Sequence, residues 1–176
     1  MRRLTTSRAA AAAVIIAGLM SVDAAALAQT ASVESRLRQL EDREQIAQLL
    51  IDYGRHLDSR DLAAYASLFA GDGEWVGGFG TVKGRDNIKA FMQKSLGTGP
   101  NRNNSYHIMS NFVITLKGET ATAWSRWTFV TPGAQGATIA QAGRYDDTFV
   151  RENGVWKFKR RVAANDTAPP VPAVQQ

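Results

Sequence analysis

At Pro100 the apolar periodicity of this chain changes from helical to alternating, and that switch restricts the fold more than any other feature. Before it, Ile46, Leu49, Leu50, Tyr53 and Leu57 recur at three- and four-residue steps within Glu41 to Asp58, on one face of an amphipathic helix. Asp58 or Ser59 can cap a second short helix with an apolar face of Leu62, Tyr65, Leu68 and Phe69, which Gly71 and Gly73 end. A short strand at Glu74 to Val76 and the turn Gly77 to Gly80 lead to a third helix, Asp86 to Leu96, bearing Ile88, Phe91, Met92 and Leu96. After Pro100, Tyr106 to Leu116 alternates as a strand, Lys117-Gly118-Glu119 turns, and Ala121 to Thr131 returns. Ile139 to Arg151 and Val155 to Val162 form a second hairpin around Glu152-Asn153-Gly154. Three helices followed by four antiparallel strands specify an α+β fold with helices on one face of a curved sheet. Small ligands bind in pockets between such layers.

The ends of the 176-residue chain read differently. Arg2, Arg3 and Arg8 precede the uncharged run Ala9 to Met20, and Ala26-Leu27-Ala28 offers the small residues a signal peptidase reads. A run of about a dozen residues is short of the ~20 that cross a bilayer as a helix, so residues 1–28 are expected to be a cleaved signal peptide. The Arg2-Arg3 pair lacks the flanking residues of a twin-arginine signal, which favours the general secretory route. The alanine-rich leader has a bacterial character, so the expected location is the periplasm or outside the cell, with no membrane attachment after cleavage. The last eleven residues, Asp166 to Gln176, hold three prolines and no apolar periodicity and read as a disordered tail, which leaves residues 35–165 as the folded domain.

Composition then narrows the chemistry. The formal charge of +5 falls to +3 once the leader's three arginines and one aspartate are removed, too little to argue for a nucleic-acid partner. The basic run Lys157 to Arg161 alternates along a strand, with Arg160 on the face of Trp156 and Phe158 and with Lys157, Lys159 and Arg161 outward. Zero cysteines exclude a disulfide scaffold, a thiolate-ligated metal and a cysteine nucleophile. No phosphate loop or serine-nucleophile elbow occurs, and Gly77-Gly78-Phe79-Gly80 lacks the spacing of a dinucleotide fingerprint. His56 and His107, the two histidines, lack metal-ligand spacing, so neither metal nor cofactor is expected. His107 shares a strand face with Ser105, Met109, Asn111 and Val113. Taken singly, His107 fits a satisfied strand histidine, Asp58 a helix cap and Tyr53 a core residue.

Together they carry more. Leu49-Leu50-Ile51-Asp52-Tyr53 in the first helix, Leu68-Phe69-Ala70-Gly71-Asp72-Gly73-Glu74-Trp75 after the second, and His107-Ile108-Met109-Ser110-Asn111 in a strand precede Gly143-Arg144-Tyr145-Asp146-Asp147 and Gly154-Val155-Trp156-Lys157-Phe158. This order resembles the SnoaL-like family of the nuclear transport factor 2-like superfamily over Ser35 to Val162. The resemblance implies a cone-shaped curved antiparallel sheet of cystatin-like type with three N-terminal helices on its concave face. The family branch contains scytalone dehydratase, bile acid 7-alpha-dehydratase and hexachlorocyclohexane dehydrochlorinase.

By that resemblance Asp58 and His107 look like an aspartate-histidine dyad, Tyr53 like the helix tyrosine of the dehydratases, and Arg160 like an active-site arginine. Asn111, Trp127, Phe129, Trp75 and Tyr145 are the implied substrate contacts. The chemistry is coherent: imidazole titrates near neutral pH, a carboxylate stabilises the imidazolium that forms, and a phenol can donate to a leaving hydroxyl or an oxyanion. The expectation is a cofactor-free lyase acting on a small apolar or aromatic substrate, losing water, halide or, by a retro-aldol step, a small aldehyde. Isomerisation or cyclisation starts from the same proton abstraction. The alternative is a non-catalytic module for small ligands, in which Asp58 and His107 would stand too far apart to hydrogen-bond. Related enzymes assemble through the outer sheet face, so Tyr106, Ile108, Phe112, Trp124 and Val130 are expected to be covered in a homodimer or homotrimer.

Overall fold

The structure, a computed structural model, describes residues 8–101 and 104–167, with side chains from residue 29 onward. Three helices, α1 (Arg8–Ser59), α2 (Leu62–Ser67) and α3 (Arg85–Leu96), join six strands. The strands are β1 (Phe69–Gly77), β2 (Gly80–Lys83), β3 (Tyr106–Lys117), β4 (Thr120–Gly133), β5 (Gly136–Glu152) and β6 (Val155–Asn165). The side chains of the expected leader lie outside the described residues, as does the expected tail beyond Thr167. Up to Glu41 the chain is a unit by itself, on which Val33, Leu37 and Leu40 are exposed.

All six strands form one curved sheet in the order β2-β1-β6-β5-β4-β3. Neighbours are antiparallel except β1 and β6, which run parallel, so the sheet is mixed and not purely antiparallel as expected. The reason lies at the end of α2. The Phe158 N–H donates to the Leu68 carbonyl at 2.9 Å, which draws the chain into the sheet one residue later. Gly71 and Gly73, expected to end a helix, therefore lie inside β1. The cap of α2 also differs: Asp61 accepts the Ala64 N–H at 3.0 Å, because Asp58 is engaged elsewhere.

The inner face of the sheet meets the helices in an aromatic core. Ile46, Leu49, Leu50, Tyr53 and Leu57, the stripe read from their spacing, are buried with Tyr65, Phe69, Tyr145, Phe149, Trp156 and Phe158. Tyr53 is central: its ring lies 4.8 Å from Tyr65, 5.5 Å from Tyr145 and 5.8 Å from Phe158, within the range of favourable aromatic pairs.

Two bulges reassign side chains between faces, because an extra residue reverses the two-residue alternation beyond it. In β6, Phe149 pairs with Phe158 and Thr148 with Arg160, leaving Lys159 as the extra residue. Lys159 and Arg160 are therefore both exposed, and Arg161 turns inward. In β3, Ser110 pairs with Arg126 and Val113 with Trp124, so Asn111 and Phe112 together oppose Ser125, with Asn111 at a left-handed φ of 56°. Phe112, Ile114 and Leu116 then pack on the core, and Val113 faces out. Of the expected outer apolar face, Tyr106 and Ile108 are exposed and Trp124 half-buried, whereas Phe112 points inward and Val130 is buried. A shallow cavity of about 390 Å³ on that outer face is bordered by Val113, Thr115, Thr122, Trp124, Thr148 and Arg160.

Candidate active site

Asp58 occupies the last turn of α1, one turn beyond Gly54, and both face β3. A Cβ on Gly54 would lie 3.1 Å from Met109 Cγ and 3.7 Å from His107 Cβ, so the missing side chain lets helix and strand approach closely. Glycine inside a helix costs up to about 1 kcal/mol relative to alanine, which this approach offsets. Because β3 is an edge strand, its free N–H groups need partners from outside the sheet. Asp58 supplies one: its Oδ2 accepts the His107 backbone N–H at 2.7 Å, and its Oδ1 lies 2.5 Å from His107 Nδ1.

An ionised carboxylate only accepts hydrogen bonds, so Nδ1 is the donor in this contact, and in a neutral imidazole that tautomer leaves the lone pair on Nε2. The two side chains are 15% and 19% exposed, accessible enough for a small molecule and dry enough to strengthen the bond. Phe129, opposite His107 across the strands, stacks its ring 4.7 Å away, and Trp127 lies at 6.3 Å. The Trp127 indole crosses Gly143, its partner in β5, where a Cβ would come within 2.7 Å of the ring. It then reaches Tyr145 at 5.9 Å. A continuous aromatic wall thus runs from His107 through Trp127 and Tyr145 to Tyr53.

Tyr53 ends that wall. Its hydroxyl accepts from Tyr65 Oη at 3.0 Å and from Trp75 Nε1 at 3.1 Å. Beneath it lies an ion pair that alternation had hidden. Arg161 and Asp147 are fully buried and joined by two hydrogen bonds, Nε to Oδ1 at 2.8 Å and Nη2 to Oδ2 at 2.6 Å. The guanidinium lies 3.9 Å from the Tyr53 ring centre, 3.8 Å from that of Tyr145 and 4.3 Å from that of Phe158, in cation–π contact with all three. Burial pushes the Asp147 carboxyl up, and the Arg161 charge and hydrogen bonds offset part of that rise. For Arg161, burial opposes the charge, but Asp147 and its hydrogen bonds outweigh it and hold the arginine above its ordinary value. Burial also raises the Tyr65 and Tyr145 phenols well above the usual tyrosine value.

Of the residues anticipated from sequence, the structure joins Asp58, His107, Trp127 and Phe129 in one cluster and Tyr53, Trp75 and Tyr145 in the next. Two fall away. Arg160 is on the outer face, its Nε 2.7 Å from Glu74 Oε2, and Asn111 is the exposed bulge residue. Arg161, expected to be solvated, is the inward arginine. One signal for it was readable: Asp147 alternates with the inward Tyr145 and Phe149, and a buried carboxylate requires a cation. Nothing local marks the Lys159 bulge that delivers that cation.

A SnoaL-like domain profile matches residues 38–162. An uncharacterised protein of Mycobacterium tuberculosis is 31% identical over 131 residues, covering 70% of this chain and 85% of that protein. Among solved structures, an NTF2-like protein with a cystatin-like fold from Novosphingobium aromaticivorans is 30% identical with a TM-score of 0.69, over 78% of this chain and 90% of that one. A candidate scytalone dehydratase from the same organism is 28% identical with a TM-score of 0.61, over 73% of this chain and 87% of that one. With helices on one face of a curved sheet and these matches along most of its length, the chain belongs to the SnoaL-like family of NTF2-like, cystatin-fold proteins.

Proposed function

We propose that this protein is a cofactor-independent lyase, with isomerisation or cyclisation as neighbouring outcomes, in which His107 removes a proton from a small apolar or aromatic substrate. The observation that carries the reading is the double grip of Asp58 on His107, at 2.5 Å to the ring and 2.7 Å to the backbone. That grip fixes which nitrogen is protonated, holds the ring in place and stabilises the imidazolium formed on proton transfer, which are the requirements of a general base. A module that only binds ligands has no need of it. Trp127 and Phe129 suit an apolar or aromatic ring, and the Tyr53 phenol can donate to the departing group or to an oxyanion. The similarity to a candidate scytalone dehydratase points to the same reaction type.

The test is a screen of the mature protein against aromatic diols, hydroxysteroids and halogenated rings, following release of water, halide or a small aldehyde. For any compound turned over, His107→Ala and Asp58→Asn should each lower the rate by roughly 10²- to 10⁴-fold. Rates within a few-fold of wild type in both variants would sink the dyad. We further propose that the protein is exported after loss of residues 1–28 and self-associates through its outer sheet face. A mature chain beginning at Gln29 and a dimeric or trimeric mass by light scattering are the expected results, and an intact leader or a monomer the contrary ones.

A further inference from the structure

Among the described residues, two buried polar side-chain atoms have no hydrogen-bond partner, Arg161 Nη1 and Ser125 Oγ. Both belong to residues with no exposed surface. Such atoms are costly to bury unpaired and are rare in folded proteins. Their places in the sheet are related. Ser125 pairs across the strands with Tyr145, and the ring of Tyr145 is covered by the Arg161 guanidinium at 3.8 Å. The two orphaned groups therefore both belong to neighbours of Tyr145, which stands on the aromatic wall that leads from His107.

We propose that Ser125 Oγ and Arg161 Nη1 form a subsite for a single oxygen atom of the substrate, so that the ligand is a ring bearing a carbonyl or hydroxyl oxygen and not a plain hydrocarbon or halocarbon. This deepens the lyase reading and rests on it for the identity of the reacting end. The charge balance favours a neutral oxygen: Asp147 already cancels the Arg161 charge, so the remaining N–H and O–H offer hydrogen bonds without a net field for an anion. Nε and Nη2 of Arg161 are held by Asp147, which fixes the guanidinium plane and leaves Nη1 as the nitrogen with hydrogens still to donate. Occupancy requires the inner face to open. Met109, half-buried and paired across the strands with Trp127, is a pliable side chain beside the aromatic wall.

Two probes of nearly equal shape, 1-indanone and indane, test the subsite by calorimetric titration of the full-length mature protein. Wild type should bind the ketone at least about tenfold more tightly than the hydrocarbon, the ratio expected of one or two hydrogen bonds to a buried donor pair. Ser125→Ala should shrink that ratio several-fold without lowering the melting temperature, because its hydroxyl has no protein partner to lose. A crystal structure with 1-indanone should place the carbonyl oxygen within hydrogen-bond reach of Arg161 Nη1. Equal affinities, binding of neither probe, an unchanged ratio in Ser125→Ala, or a water bridging the two donors with the ketone elsewhere would each overturn the subsite. His107→Ala separates this proposal from the lyase reading. It should keep the preference for the ketone while losing turnover, and a wild type that prefers the ketone yet performs no proton transfer would refute the lyase and leave the subsite standing.

Discussion

Arg161 shows how much one residue's position can decide. In the core it has Asp147 as its counter-charge and three aromatic faces around its guanidinium. Removing one member of such a pair strands the other charge in a dry interior, which costs more than the pair itself contributes. Arg161→Met should therefore destabilise the fold by about 3–5 kcal/mol, whereas the double replacement Asp147→Leu with Arg161→Met should recover most of that loss. Denaturant unfolding of the two variants checks this. A double variant as unstable as the single one would show that the pair stabilises by more than mutual charge compensation.

At the scale of elements, the site depends on α1 and β3 meeting at Gly54. An alanine there gains helix propensity of up to about 1 kcal/mol but intrudes on Met109. Gly54→Ala should leave stability within about 1 kcal/mol of wild type and still depress activity, because β3 is pushed away from Asp58. Comparing melting curves with rates separates the two effects, and an unchanged rate would mean that the helix–strand spacing does not tune the dyad. Helix faces were legible from spacing because the step of three and four residues survives folding unchanged, as Ile46 to Leu57 show. The strand faces were legible only up to the first bulge. Lys159 and Asn111 each add one residue that no composition signal marks, and beyond them Arg160, Arg161, Phe112 and Val113 exchange faces. His107 and Asp58, 49 positions apart, are linked at the level of sequence by the family resemblance and not by any local pattern.

For the molecule as a whole, the aromatic core sets the limit of alkaline stability. Burial holds the Tyr65 and Tyr145 phenols well above the ordinary value of 10.0, so the folded protein keeps both protons where the unfolded chain releases them. The stability they contribute is complete below about pH 10 and declines as pH rises above it, since only the unfolded state then loses protons. Ultraviolet titration should accordingly show Tyr65 and Tyr145 ionising only together with loss of circular dichroism. Ionisation of Tyr65 or Tyr145 with the circular dichroism of the folded state intact would contradict the packing described.

His107 acting as a base held by Asp58 is common to every outcome proposed for this site, and hydrogen exchange tests it whatever the leaving group is. In deuterated buffer, proton magnetic resonance follows replacement of the hydrogens beside the carbonyl of 1-indanone. Wild type should accelerate this exchange over buffer, and His107→Ala and Asp58→Asn should each reduce the acceleration by roughly 10²-fold or more while remaining folded. Exchange no faster than in buffer, or equal in all three proteins, would contradict it.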